Sequence, residues 1–221
     1  MIATVFALDF ESAAFRASQG RRLCVSIWTL AVAGERSAAV LKRMIEKTRP
    51  EVIVSAGFSG ALQPELALGD IVIGENYSDP ALVRSLRDRT DCRIGQIVTV
   101  PDILETAAAK RNIGVRSGAL AADLESAHIF RICSEAGIPM LSVRTISDVL
   151  DQDMPVPGSV LINPETGKSD PAAIFRHLFR HPGKATQFAQ LVSGARVAQQ
   201  SLAKALGGII PQILMRGNPV N

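Results

Sequence analysis

Short apolar runs alternate with amphipathic stretches along most of the chain. The runs 3–8, 22–29, 52–55, 70–74, 93–98, 118–122 and 140–146 have strand length and are bounded by polar or glycine-containing segments. Helical patterns are predicted over 11–17, 34–47, 80–86, 103–111, 124–136, 171–179 and 184–206. Interleaved signals of this kind predict an α/β fold, with helices layered around a largely buried sheet. Gly137-Ile138-Pro139 separates one helix from the next strand, because glycine suits the position after a helix end and proline stops continuation. No internal repeat is visible. The segment 151–171 is rich in Pro, Gly, Asp and Asn, and reads as a long connection beside a site. One domain over 1–221, closed by C-terminal helices over 172–206, is the expected organisation.

Composition narrows the class. At 221 residues, 47% hydrophobic and 20% charged, the chain is long enough for one well-buried globular domain. A net charge of +3 with 5% aromatics gives neither the basic patch nor the stacking platforms of a nucleic-acid binder, so no nucleic-acid partner is expected. Cys24, Cys92 and Cys133 are far apart and lack CxxC spacing, which argues against a disulfide framework or zinc and for a reducing compartment. His128, His177 and His181 form no ligand pattern, so no metal is expected. The segment from Met1 to Asp9 reads as a first buried strand rather than a leader, and no apolar run reaches spanning length. A cytoplasmic protein is expected.

Carboxylates stand at the ends of these elements. Glu125 falls where a helix begins and Asp148 where a strand runs out, the edge at which α/β sheets open onto ligands. Asp9 and Glu11 follow the first strand. Each has an ordinary structural alternative: first-turn acids favour the positive end of a helix, and aspartate caps helices or turns. Ser55-Ala56-Gly57-Phe58-Ser59-Gly60-Ala61 reads as a strand-to-glycine turn whose N–H groups are free to face an anion or a hydroxyl.

Taken in order, Gly57 to Ala61, Leu68-Gly69-Asp70-Ile71-Val72-Ile73, Ala122-Asp123-Leu124-Glu125-Ser126-Ala127 and Arg144-Thr145-Ile146-Ser147-Asp148 resemble the nucleoside phosphorylase superfamily. The likeness is greatest to its nucleosidase branch, which includes the methylthioadenosine/S-adenosylhomocysteine nucleosidases, and runs from about Val5 to Val149. It implies a three-layer α/β/α sandwich with a mixed central sheet, and cleavage of the bond joining a purine to ribose without a cofactor. It also implies roles. Asp148 would be the general acid at purine N7, and Glu11 would activate water. Glu125 would hold the ribose hydroxyls with Leu124 against the sugar. Arg144 would brace the acids, Gly57 and Phe58 would border the sugar side, and Ile103 and Leu104 would grip adenine. Ser55 stands where phosphorolytic relatives carry a phosphate-binding arginine, and Phe58 replaces a small hydroxyl residue, so water is expected rather than phosphate. A homodimer is implied as well.

The far end resembles the hopanoid-associated phosphorylases of the same superfamily, which act on an adenosyl lipid. Ile174, Phe175, Leu178 and Phe179 share one face of the predicted helix, with Arg176, His177 and Arg180 on the other. Packing of the apolar face on the domain is the ordinary expectation, and peripheral contact of 172–181 with an anionic membrane is the alternative. Three functions stand open: a nucleosidase for an adenine-containing nucleoside, a phosphate-dependent phosphorylase including an adenosylhopane enzyme, and a non-catalytic nucleoside-binding or membrane-associated protein.

Overall fold

The computed structural model describes residues 1–19, 25–30, 35–89, 91–161 and 170–216. Cys24, the predicted strand start at 22–24 and residues 162–169 of the long connection lie outside them. The strands are β1 (Ile2–Phe6), β2 (Val25–Thr29), β3 (Val52–Ala61), β4 (Ile71–Gly74), β5 (Arg93–Gly95), β6 (Ile97–Thr99), β7 (Ala121–Asp123) and β8 (Met140–Asp148). The helices are α1 (Asp9–Gln19), α2 (Glu35–Thr48), α3 (Pro80–Ser85), α4 (Ala107–Ser117), α5 (Ser126–Glu135), α6 (Gly158–Leu161), α7 (Pro171–Arg180) and α8 (Ala185–Arg216).

Among the described residues the eight strands form one mixed sheet. Its main path runs β2-β1-β3-β8-β4-β5, with β7 joined to β3 and β6 to β7. Strands β2, β1, β3 and β8 are parallel, whereas β4 meets β8, and β7 meets β3, antiparallel. Side chains alternate between faces along each strand. Ile2 and Phe6 of β1, Val54 of β3 and Leu141 and Val143 of β8 pack with Phe15 of α1 and Leu202 and Leu206 of α8. Ala3 and Val5, Ile53 and Met140 face the other way, onto Leu41 and Ile45 of α2 and Ile129 and Ile132 of α5. Burial on both faces explains the continuous apolar runs and gives the three-layer α/β/α arrangement expected from the sequence.

Several boundaries differ from the sequence expectation. The helix expected over 103–111 spans Ala107–Ser117. Thr106 caps it by accepting from the Ala109 N–H at 3.1 Å, and Gly118 ends it at φ +65°. Ile103 and Leu104 therefore sit in a loop. The run 93–98 is two strands, and the one at 118–122 is confined to Ala121–Asp123. The final helix continues ten residues past 206, through Pro211, because Ile209, Ile210 and Ile213 complete its buried face. The long connection 151–171 carries the short helix α6. After α5 the expected punctuation is present: Gly137 at φ +67° donates to Ser134 O, and Ile138 donates to Cys133 O at 2.9 Å, a Schellman closure. No described helix is long and apolar enough to cross a membrane.

Candidate active site

The segment Ser55 to Ala61 is not a turn. It is the second half of β3, paired with β8 from Ile53 to Gly60. Its N–H groups are therefore not an open nest for an anion; that of Phe58 is taken by Glu11 Oε1 at 2.9 Å. The glycines serve another purpose. A Cβ on Gly57 would lie 3.0 Å from Glu11 Oε1, and a Cβ on Gly60 would lie 3.0 Å from Asp148 Oδ2. Two acids from different elements thus rest on one strand because it lacks two side chains.

Glu11 comes from the first turn of α1. Its Oε2 accepts from the Ala7 and Leu8 N–H groups at 3.1 and 2.9 Å, the backward half of a capping box. The structural role at a helix start therefore holds for Glu11, yet the same carboxylate reaches across to β3. It is 5% exposed. Burial pushes its pKa up, opposed by the backbone N–H groups of Phe58, Leu8 and Ala7 and the charge of Arg144. Oε1 accepts from one of those N–H groups and retains a further acceptor position.

Glu125 occupies the cap position of α5 but makes no capping bond. Asp123 does that work, accepting from the Ser126 N–H at 3.2 Å. Asp123 also accepts from Thr99 Oγ1 at 2.8 Å and from Arg144 Nε at 2.7 Å. Arg144, 2% exposed, also donates to Ser55 O, Ser55 Oγ and Val143 O. Desolvation, then the charges of Asp123 and Glu11, push the pKa of Glu125 up to about 8, with Arg144 opposing.

Asp148 ends β8 at an irregularity. Ser59 pairs with Ile146 but Gly60 pairs with Asp148, so Ser147 is an extra residue. Bulges of this kind re-aim a side chain. Ser147 Oγ lies 2.9 Å from Asp148 Oδ1, and Lys110 Nζ forms an ion pair with Oδ2. The group on its Oδ2 is a lysine ammonium.

These side chains meet in one cavity of about 300 Å³. It opens at the carboxyl ends of β1, β3 and β8, as in other open α/β sheets. Glu11, Glu125, Asp148, Leu124, Phe58, Ile103 and Leu104 all line it. Gly57 and Arg144 do not: Gly57 lies under Glu11, and Arg144 is buried behind Asp123. Phe58 meets Phe10 edge to face at 6.1 Å, forming an apolar wall. Met154, Leu161 and Leu191 extend that apolar character. Asp123 and Lys110 were not singled out from the sequence. The signal for Lys110 was its place in a helix among small residues: Ala107, Lys110 and Gly114 are the buried positions of α4. Among the described residues no cluster suits a metal ion.

Comparison with known proteins follows the same lines. A family model described as the phosphorylase superfamily matches residues 74–180, a span that includes Glu125 and Asp148 but not Glu11. The 5′-methylthioadenosine/S-adenosylhomocysteine nucleosidase of Shewanella halifaxensis is 25% identical, covering 51% of this chain and 63% of that protein. The corresponding protein of Staphylococcus epidermidis is 23% identical, covering 48% and 60%. The chain thus spans about three fifths of the length of the curated relatives it matches. Among solved structures, a Helicobacter pylori 5′-methylthioadenosine/S-adenosylhomocysteine nucleosidase with a bound inhibitor superposes with TM-score 0.70 at 13% identity, covering 96% of this chain and 97% of that one. The futalosine hydrolase of Helicobacter pylori superposes at 0.68, again at 13% identity and over 96% and 97%. At such identities the likeness is one of fold.

Proposed function

We propose that this chain is a member of the phosphorylase superfamily, whose model matches residues 74–180, and that it cleaves the N-glycosidic bond of an adenine-containing nucleoside with water. The observation that carries the proposal is the convergence of Glu11, Glu125 and Asp148 on one cavity. Asp148, carrying a proton in the substrate complex, passes it to purine N7. The C1′–N9 pair leaves with the base, so the purine departs neutral while positive charge builds on ribose. Glu11 takes the proton of the attacking water at the free acceptor position of Oε1, and the water oxygen forms the new bond to C1′. Glu125 holds the ribose hydroxyls, donating through its own proton at rest. Leu124 packs on the sugar, while Ile103 and Leu104 border the base. An acid and a base on opposite sides of a glycosidic bond follow the logic of sugar hydrolases.

Water is favoured over phosphate by charge. The cavity wall carries Glu11, Asp123, Glu125 and Asp148, and its lining cation, Lys110, is engaged with Asp148. Arg144 is spent on Asp123 and Ser55. Among the described residues that line the cavity, no cation is left free for a phosphate dianion. Adenine release from a series of 5′-substituted adenosines, with and without phosphate, tests this. Release without phosphate is expected. Acceleration by phosphate would replace hydrolysis by phosphorolysis, and no release from any substrate would leave a binding protein.

A second proposal concerns the 5′ substituent. Phe175 and Phe179 are 71% and 79% exposed and stack on each other at 6.4 Å, beside the exposed Arg176 and Arg180. The apolar face is therefore not all packed on the fold: Ile174 and Leu178 are partly buried, the two rings are not. We propose that α7 lies on an anionic membrane and that the substrate bears a large apolar 5′ group, as in an adenosyl hopanoid. Flotation with phosphatidylglycerol vesicles should recover the protein, and Arg176→Glu with Arg180→Glu should release it. Equal flotation of both would overturn the contact. A cytoplasmic homodimer remains part of the proposal, checked by the mass in solution.

A further inference from the structure

Lys110 is 1% exposed, and a buried ammonium is costly unless every donor is matched. Its three are. Nζ donates to Val149 O at 2.9 Å and to Gln152 O at 3.0 Å, and the third partner is Asp148 Oδ2. The two carbonyls belong to the chain just past β8, so α4 grips the segment that follows Asp148. The other carboxylate oxygen, Oδ1, has Ser147 Oγ at 2.9 Å. Gly60, with no side chain, leaves room for Oδ2 at this place. Lys110 also lines the cavity.

We propose that Lys110 is a positioning residue for proton delivery: it fixes the Asp148 carboxyl and stabilises the carboxylate that remains once the proton has passed to the leaving base. The inference rests on the N-glycosidic cleavage proposed above. The proton leaves the Asp148 carboxyl and forms N7–H, the C1′–N9 pair goes to the purine, and Lys110 stays an ammonium throughout. The ion pair present at rest is suspended while Asp148 carries the proton in the substrate complex and is regained as that proton passes to N7, so the contribution of Lys110 is felt in turnover rather than in substrate binding.

The test compares two leaving groups. Adenine needs a proton to depart; 4-nitrophenolate from 4-nitrophenyl β-D-ribofuranoside does not. Lys110→Met, or Lys110→Gln where the former fails to fold, is expected to lower kcat for an adenine nucleoside by about 10²-fold with little change in KM. Its nitrophenyl riboside activity should stay within a few-fold of the unaltered enzyme. Equal loss on both substrates, or loss on neither, overturns the inference. If the unaltered enzyme cleaves adenine nucleosides only, methylammonium added to Lys110→Ala decides. Recovery of kcat supports the role, and its absence contradicts it. Cleavage of neither substrate by the unaltered enzyme refutes the parent proposal instead.

Discussion

Glu11 and Asp148 are seated by one device and held by two different ones. Each carboxylate lies against a glycine of β3, Gly57 for the first and Gly60 for the second, with the absent Cβ 3.0 Å from an oxygen. Glu11 is then clamped by three neutral backbone donors, those of Ala7, Leu8 and Phe58. Asp148 is clamped by a full positive charge from Lys110 and by the neighbouring Ser147 hydroxyl. Glu125, the third acid, has no cation of its own, since Arg144 is given to Asp123, and its pKa climbs to about 8. Similar side chains in one cavity are thus held by partners of different kinds: backbone N–H groups for Glu11, a lysine for Asp148, and no cation of its own for Glu125.

Removing the acids themselves has the largest expected effect. Asp148→Asn is expected to lower turnover of an adenine nucleoside by about 10²–10⁴-fold. Glu11→Gln should cost a similar factor, with a second loss in stability from its capping bonds. Only Asp148→Asn should spare the nitrophenyl riboside. Steady-state kinetics on both substrates checks this, and near-normal turnover of the purine would remove either residue from its role.

Gly57→Ala and Gly60→Ala act more gently, because the new methyl displaces a carboxylate by a fraction of an ångström. A 1 Å misplacement costs about 10²-fold, so roughly tenfold is expected for each. Crystal structures of both variants would show which acid moved. Loss without displacement would mean that the glycines matter for the strand instead.

One effect is on stability rather than on turnover. Below pH 4.5 Glu125 is protonated in both folded and unfolded chains; between there and about 8 the unfolded chain has lost the proton and the folded one keeps it. Its contribution therefore falls as pH rises, by at most about 1.4 kcal/mol per pH unit. Glu125→Gln removes that fall. Thermal melts from pH 5 to 9 should show the unaltered protein losing ground to the variant up to pH 8, and parallel curves would contradict the raised pKa.

Glu11, Glu125 and Asp148 were legible as acids at the ends of recognisable elements, but each also had an ordinary structural explanation, and only the resemblance to the superfamily gave them roles. Where strands end, side chains point at the crevice, and order along the chain translates into place. Lys110 was not legible for the same kind of reason. A lone lysine in a helix ordinarily faces water, and Gly114 weakens the helical pattern around it. Only the fold shows why that glycine is there: a Cβ would come within 2.4 Å of Leu62 O. Gly57 and Gly60 misled in the opposite direction. Glycines after an apolar run signal a turn, but here they make room for side chains from α1 and β8 while the strand continues. The length of α8 was hidden by Gly207, Gly208 and Pro211, which tertiary packing overrides.

A crystal structure with adenine and a ribose analogue bound tests the central claim most directly. N7 is expected within hydrogen-bond distance of Asp148, with the sugar hydroxyls on Glu125 and a water or its stand-in on Glu11 Oε1. A ligand seated outside this cavity, or one whose N7 faces away from Asp148, would contradict it.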